Sequence, residues 1–249
     1  MEEILTNDLT LISKFQVTSA DTDMEGRLRI GALLNFLIQS AINSADNLGF
    51  GYGGLRQQRL FWVLSRLTIE IYNPIIWHSW VEVETWPKDI DGILYLRDFI
   101  LRNEEQIPVA RATSGWLAID LESKRPKKVD AIHEEMFVHL KNKHALQQLP
   151  EKLNKLTEGD SFKIATTFFD MDLNKHVTST RYIDWMMDSF ELDFHQNHFP
   201  KKISINFMKE TMLGDNILIM RSQPVDQEFH FEGINTSQNS TAFRAKINF

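Results

Sequence analysis

The hydrophobic positions of residues 30–48 recur at the spacing of an α-helix. Their stripe is broad, which is typical of a helix that is largely buried. Its members are Ile30, Leu33, Leu34, Leu37, Ile38, Ala41, Ala45 and Leu48. Gly49 follows at a position that favours a helix C-terminus, and the glycine-rich run 49–54 is predicted to be a flexible loop.

Strand-like patterns flank this helix. One strand is predicted before it, and about four more are predicted after it as a meander, over residues 61–72, 79–86, 94–101 and 109–121. Residues 122–160 have a different character, with a charged turn at 122–128, a short helix within 131–143 and a polar linker at 147–160. Beyond the linker the pattern predicts a strand at 162–169 and a helix containing Tyr182 and Phe190. Four further strands are predicted at 202–212, 217–222, 228–233 and 242–249.

The order of strand, helix and strands therefore occurs twice, and the segment before each helix is similar. DTDMEGRL at 21–28 aligns with DMDLNKHV at 170–177, at an offset of 149 (170 minus 21). Chance similarity between two short acidic loops is the alternative, but the agreement of motif and element order favours a duplication. The copies differ where chemistry would lie, because Glu25 and Arg27 stand in place of Asn174 and His176.

This organisation predicts an α+β protein with a tandem double hot-dog fold, in which each half is an antiparallel sheet wrapped around a central helix. The predicted boundaries are 1–140 for the N-terminal hot-dog domain, 141–160 for a linker and 161–249 for the C-terminal hot-dog domain.

The composition narrows the chemistry. The chain has 249 residues and no cysteine, which excludes a cysteine nucleophile and a thiolate metal site. Its formal net charge of -7 disfavours broad binding to nucleic acid. The acidic N-terminus lacks the features of a signal peptide, and the apolar run 30–48 is interrupted by polar residues. A soluble cytoplasmic protein without membrane insertion is expected.

Two motifs resemble sites for calcium and for a dinucleotide, but the residues around them do not fit either ligand. The acidic loop that begins at Asp170 resembles the first half of a calcium loop, but Lys175 and Arg181 occupy the positions that require Gly and Glu. Gly49, Gly51 and Gly54 match a dinucleotide fingerprint, yet they follow a helix and precede a strand. The chain also lacks the serine-hydrolase elbow, the phosphate loop and the metalloprotease helix.

His176 differs from the other histidines because it lies in a loop that opens a buried helix. Backbone N–H groups at such a helix N-terminus can polarise a carbonyl. A capping or turn role for this segment is an equal alternative on these residues alone.

Several segments together resemble the acyl-acyl carrier protein (acyl-ACP) thioesterases, double hot-dog enzymes of plants and bacteria with the pattern D-x-N-x-H-V-N-N-x-K-Y-I-x-W. The matching segments are DMDLNKHV at 170–177, RYIDW at 181–185, WVLSRL at 62–67, VETW at 83–86 and RATSGW at 111–116. NFMKET at 206–211 is similar to the family segment E-Y-R-R-E-C. The resemblance covers most of the chain from about Phe15 onward.

The resemblance implies hydrolysis of the thioester between a fatty acyl chain and the phosphopantetheine arm of the carrier, in fatty acid biosynthesis. Asp172, Asn174, His176 and Glu210 match the catalytic positions of the family. His176 and Glu210 would position and deprotonate water, and Asn174 would orient the water or contact the carbonyl. Asp172 is either a nucleophile that forms a mixed anhydride or an orienting group. Thr211 replaces the cysteine once assigned as nucleophile in plant members.

The first half would hold the acyl chain, with Leu33, Leu37, Ile38 and Ala41 as the expected tunnel residues. The basic run of Lys124, Arg125, Lys127 and Lys128 is either a solvated turn or a docking patch for an acidic carrier. No cofactor and no metal are implied, and a homodimer remains an open alternative to a monomer. Two alternative functions are a hot-dog thioesterase acting on acyl-coenzyme A and a non-catalytic acyl-binding sensor.

Overall fold

The computed structural model of the protein describes residues 2–6, 9–129 and 131–249. The chain divides into two compact units. The first comprises Met1–Leu28 and Ala32–Pro150, and the second comprises Arg29–Gly31 and Glu151–Phe249. The division at Pro150 falls inside the predicted linker 141–160, so that the first ten positions of that segment pack with the first unit.

The first unit is an antiparallel sheet with helices. Its strands are β1 (Glu2–Leu5), β2 (Leu11–Gln16), β3 (Leu60–Ile71), β4 (Trp80–Asp91), β5 (Leu94–Arg102) and β6 (Pro108–Asp120). Its helices are α1 (Ile30–Asn47, of which Ile30 and Gly31 belong to the second unit), α2 (Tyr52–Gln57) and α3 (Ala131–Val138). The strand order is β1-β2-β4-β5-β6-β3, with antiparallel pairing throughout.

The predicted buried helix is confirmed as α1, whose Leu33 and Leu37 are 2% and 1% exposed. The rings of Phe36 on α1 and Phe15 on β2 stack at 4.5 Å, so the helix packs against the sheet. Such burial of an apolar stripe is the main stabilisation of a helix in a protein.

Two predictions for this half are wrong. The run 49–54 is not all loop, because α2 begins at Tyr52, whose backbone N–H is held by the Asp46 carboxylate at 3.0 Å. The four strands do not form a simple meander either. The long strand β3 pairs with β6, from Leu60 opposite Asp120 to Ile71 opposite Ala110. Such pairing between distant segments leaves no local signal in the sequence.

The second unit repeats this plan. Its strands are β7 (Asp160–Ala165), β8 (Lys202–Phe207), β9 (Asn216–Arg221), β10 (Glu228–Asn235) and β11 (Ser240–Asn248). Its helices are a 3₁₀ helix (Phe168–Asp170), α4 (Ser179–Met187) and α5 (Leu192–Asn197). The strand order is β8-β11-β10-β9-β7, again antiparallel.

The helix predicted around Tyr182 is confirmed as α4, but it ends at Met187 and does not include the predicted Phe190. The Tyr182 ring lies 5.1 Å from Phe243 on β11. The strand predicted at 162–169 ends early at Ala165. It stops there because Thr167 and Asp170 form a capping box that turns the chain into the 3₁₀ helix. Helix α5 was not predicted.

The two units have equivalent topologies. The order β2-β4-β5-β6-β3 of the first corresponds to β7-β9-β10-β11-β8 of the second, and a helix follows the first strand in each. Each unit is therefore a helix packed on an antiparallel sheet, and the chain is a tandem double hot-dog. The short edge strand β1 is an addition to the first unit.

Candidate active site

The loop that precedes α4 is a tight turn. Met171 and Val177 form an isolated bridge, and the backbone N–H of Asp172 donates to the carbonyl of His176 at 2.8 Å. Lys175 closes the turn in the left-handed region, with φ of +65°. This geometry brings the predicted residues Asp172, Asn174 and His176 onto one short loop.

The Asp172 carboxylate holds the turn together. Its Oδ1 accepts the backbone N–H of Asn174 at 2.8 Å and that of His176 at 3.2 Å. A short carboxylate that bonds N–H groups two and four residues ahead is an Asx-type turn. The Asn174 side chain itself is exposed to solvent.

His176 faces Glu210 across a neighbouring segment. Its Nε2 lies 3.3 Å from Glu210 Oε2, and the two side chains are 27% and 58% exposed. The segment is fixed by the backbone N–H of Val177, which donates to the carbonyl of Thr211 at 2.9 Å, and by a bridge between His176 and Met212. A solvent-accessible imidazole oriented by a carboxylate is suited to general acid–base chemistry on water.

Asp170 anchors the start of this loop and was not predicted as a site residue. It is 4% exposed, and its Oδ1 accepts a hydrogen bond from Nε of Arg181 on α4 at 2.7 Å. Burial raises the pKa of Asp170, but the hydrogen bonds from Thr167 and the Arg181 guanidinium outweigh it, so the pKa lies below its usual range. The sequence signal that could have indicated a structural role for Asp170 is Asp21, the aspartate at the equivalent position of the first copy.

Beneath the loop lie two buried polar side chains. Burial raises the pKa of Tyr182 to about 12, against the opposing effect of the Thr211 hydroxyl beside it. Thr211 is 0% exposed, so its hydroxyl does not reach solvent. The threonine at the family's cysteine position is therefore a buried neighbour of Tyr182.

The first unit contains the same loop without this chemistry. Its Asp23 carboxylate accepts the backbone N–H groups of Glu25 and Arg27, each at 2.9 Å. Arg27 then turns back, and its Nε contacts Asp23 Oδ2 at 2.9 Å. The backbone N–H of Leu28 donates to the carbonyl of Ile75, as that of Val177 donates to the carbonyl of Thr211. Ile75 and Thr211 are therefore equivalent positions, 136 residues apart (211 minus 75), and Pro74 is equivalent to Glu210.

The remaining predicted residues lie in the first unit. Leu33, Leu37 and Ala41 are buried in its core, and Ile38 is half-buried. The basic run occupies an exposed turn after β6, with Lys124, Arg125, Lys127 and Lys128 all exposed. Within the described part of the chain, no helix is long and apolar enough to cross a membrane.

Comparison with known proteins identifies the family of the chain. Residues 8–137 match the acyl-ACP thioesterase N-terminal domain, and residues 153–249 match the acyl-ACP thioesterase C-terminal domain. The chain belongs to the acyl-ACP thioesterase family. Members of this family are thioester hydrolases.

Relatives of this acyl-ACP thioesterase chain are found in plants. It is 26% identical to the chloroplastic oleoyl-acyl carrier protein thioesterase 2 of Arabidopsis thaliana, over 94% of this chain and 69% of that protein. It is also 26% identical to the chloroplastic palmitoyl-acyl carrier protein thioesterase of Gossypium hirsutum, over 84% of this chain and 54% of that protein. The chain spans 63% to 69% of the length of the first three curated relatives that it matches.

Solved structures share the fold over nearly the whole chain. An acyl-ACP thioesterase from Bacteroides thetaiotaomicron superposes with a TM-score of 0.84 at 24% identity, covering 97% of this chain and 98% of that one. The 12:0-ACP thioesterase from Umbellularia californica superposes with a TM-score of 0.85 at 19% identity, covering 96% of both chains.

Proposed function

We propose that this chain hydrolyses the thioester of fatty acyl-ACP and releases a free fatty acid and holo-ACP. The contact between His176 Nε2 and Glu210 Oε2 at 3.3 Å is the observation that carries the proposal. It provides a base and its orienting carboxylate at a solvent-accessible loop, in a chain that has no cysteine to act as nucleophile. Family membership supports the same reaction.

The contact suggests how water is activated. When Nε2 of His176 carries the hydrogen that Glu210 accepts, Nδ1 is the basic nitrogen that takes a proton from water. The hydroxide then adds to the thioester carbonyl. The tetrahedral intermediate collapses with cleavage of the C–S bond, and the imidazolium returns its proton to the departing thiolate. Asn174 and backbone N–H groups at the start of α4 would stabilise the oxyanion.

The two roles left open for Asp172 are not equally supported. Both backbone hydrogen bonds to its Oδ1 favour the orienting role, because they commit that oxygen to holding Asn174 and His176 in the turn. If Asp172 were the nucleophile, it would have to attack through Oδ2. Formation of the anhydride would then remove the negative charge that accepts the hydrogen bonds of the turn. We assign Asp172 the orienting role.

The first unit is proposed to hold the acyl chain. Its buried apolar stripe, including Leu33, Leu37 and Ala41, would line the site with Ile38, and each CH₂ removed from water would contribute about 0.8 kcal/mol to binding. The exposed basic turn at 124–128 is proposed to attract the acidic carrier in the cytoplasm. Its local positive charge would offset the repulsion expected from the chain's net charge of -7.

Hydrolysis assays across acyl lengths, on thioesters of ACP, coenzyme A and pantetheine, test the proposal. Preference for the ACP thioester at equal chain length is expected, with a KM that rises with salt. Reversing the charges at Lys124, Arg125, Lys127 and Lys128 should raise KM for acyl-ACP and leave pantetheine turnover unchanged.

Two outcomes would contradict the assignment. Equal or better turnover of acyl-coenzyme A would favour the coenzyme A thioesterase. Acyl binding without hydrolysis of any thioester would favour the sensor.

A further inference from the structure

The buried face of α1 includes two polar residues in the second half of the helix. Leu33 and Leu37 are followed at helical spacing by Ser40 and Ser44, both of which are 0% exposed. The hydroxyl of Ser40 is buried without a hydrogen-bond partner. A serine pair on the most buried face of the central helix therefore needs a polar partner inside the first unit.

Arg97 of β5 meets these serines from the sheet. It is 5% exposed, and its Nη1 donates to Ser44 Oγ at 3.0 Å and to Thr85 Oγ1 at 3.2 Å. Ser13 of β2 lies on the same face of the sheet as Thr85, because it pairs with Val83, and its hydroxyl is also buried without a partner. Two hydroxyls, those of Ser44 and Thr85, thus contact the guanidinium, and Thr85 donates its own hydrogen to the carbonyl of Asp98 at 2.9 Å.

The guanidinium has no counter-charge in the described part of the chain. No carboxylate there lies within 4.0 Å of Arg97, and its sequence neighbour Asp98 points to the other face, where it pairs with Lys88 at 3.0 Å. Burial lowers the pKa of Arg97 to about 9, which still leaves it protonated at neutral pH. A buried cation that bonds only hydroxyls is an uncompensated charge, which proteins rarely tolerate.

We propose that Arg97, Ser40 and Ser44 form an interior site for a small monoanion, either a halide or a carboxylate, with Thr85 orienting the guanidinium. Such a ligand accepts hydrogen bonds from the guanidinium and from the Ser40 hydroxyl together. It also neutralises the buried charge, which a water molecule would not do. The site contains neither His176 nor Glu210, although it lies in the unit that is proposed to hold the acyl chain.

Anomalous diffraction from crystals of the full chain grown with bromide tests the site directly. One bromide peak is expected within about 3.5 Å of the Arg97 guanidinium, at the distance of a charge-assisted hydrogen bond. A water molecule at that position, or no density there, overturns the proposal. Formate in place of bromide distinguishes a carboxylate ligand from a halide, and binding of either at Arg97 supports the site.

Thermal unfolding at constant ionic strength gives a second readout. Replacing sulfate by bromide or formate should raise the unfolding midpoint of the wild type by roughly 3 °C, since a ligand that binds only the folded state stabilises it. Arg97→Met should abolish the shift. If that variant does not fold, Ser40→Ala should at least halve it.

The matched control is Ser240→Ala in the second unit, where the hydroxyl is likewise buried without a partner. This variant should keep the full shift. Equal shifts in Ser40→Ala and the wild type, or no shift in the wild type, would contradict the anion site.

Discussion

The loops at residues 21–28 and 170–177 have the same backbone scaffold and different side chains. In both, the N–H of the second aspartate donates to the carbonyl four residues later at 2.8 Å, and its carboxylate accepts two further N–H groups. The sixth position is left-handed in both, with φ of +73° at Gly26 and +65° at Lys175. The scaffold is therefore separable from the chemistry that it carries.

The difference lies in where the seventh residue points. Arg27 folds back onto Asp23 of its own loop and closes a local ion pair. His176 reaches instead to Glu210, while Pro74 at the corresponding position offers no carboxylate. The ion pair of Arg27 with Asp23 stays within the first loop, whereas His176 of the second loop contacts a carboxylate of another segment.

Removing the imidazole should have the largest effect. His176→Ala is expected to lower kcat for acyl-ACP by about 10³-fold, because a positioned general base contributes 10²- to 10⁴-fold. Glu210→Gln should lower it by about 10²-fold. Steady-state kinetics with circular dichroism as a check on folding measure both effects.

The matched control is Arg27→Ala, which should leave kcat within about twofold. A His176→Ala enzyme with near-normal turnover would remove this residue from the mechanism.

Substitution of Asp172 separates its two candidate roles. Asp172→Asn retains an acceptor oxygen for the backbone N–H groups of Asn174 and His176, so an orienting residue should lose only about tenfold in kcat. A nucleophile would lose essentially all activity, because a neutral amide does not form the anhydride.

Asp172→Ala, by contrast, removes the acceptor and should lower kcat by about 10²-fold and the free energy of unfolding by about 1 kcal/mol. Asp23→Ala should cost a similar amount of stability and leave kcat unchanged. An inactive Asp172→Asn enzyme with an intact fold would reinstate the nucleophile.

The contact between Asp170 and Arg181 should have a smaller effect, chiefly on stability. The first copy lacks it, because Ala32 occupies the position of Arg181. Arg181→Ala leaves a buried carboxylate with fewer donors and should lower the free energy of unfolding by about 1–2 kcal/mol.

The lowered folded-state pKa of Asp170 means that its contribution to stability is present above the usual carboxyl pKa and is lost as pH falls through the folded value. Because removal of Arg181 raises that pKa, the loss should begin at higher pH in the variant. Urea unfolding between pH 3 and pH 7 compares the two proteins, and parallel pH profiles would contradict the pairing.

The smallest effect is expected at the left-handed position of each loop. Gly26→Ala should lower the free energy of unfolding by about 1 kcal/mol, because a side chain is disfavoured at positive φ. Lys175→Gly should raise it by about 0.5 kcal/mol. Urea unfolding measures both, and a gain of stability in Gly26→Ala or a loss in Lys175→Gly would show that the two turns are not equivalent.

Local patterns accounted for much of the fold. The apolar spacing of α1 and α4 predicted both helices, and the repeated acidic segment indicated two similar halves. The pairing of β3 with β6 could not be predicted, since it depends on contacts between segments about 40 to 60 residues apart. Helix α2 was missed because glycines dominate its start, and tertiary packing of the buried Leu55 overrides their weak propensity.

The site residues, like the helices, could be predicted where a local motif identified them but not where contacts between distant segments decide the geometry. Motif resemblance selected Asp172, Asn174, His176 and Glu210, but the distance between His176 and Glu210 follows from the bridge at Met212, which lies far along the chain. Arg181 reads in the sequence as an ordinary helix residue, and its role depends on the burial of Asp170. A lone charge such as Arg97 likewise has meaning only once its surroundings are known.

The proline at position 74 keeps the first loop from forming a contact like that between His176 and Glu210. For the first loop to match the second, Glu25 would have to become asparagine, Arg27 histidine and Pro74 an acid. A histidine at position 27 alone would remove the ion pair with Asp23. An acid at position 74 alone would lie opposite Arg27, which is already paired with Asp23. Either substitution alone therefore gives no second pair of imidazole and carboxylate, and a variant of the first loop must carry the changes together to test whether its scaffold can hold one.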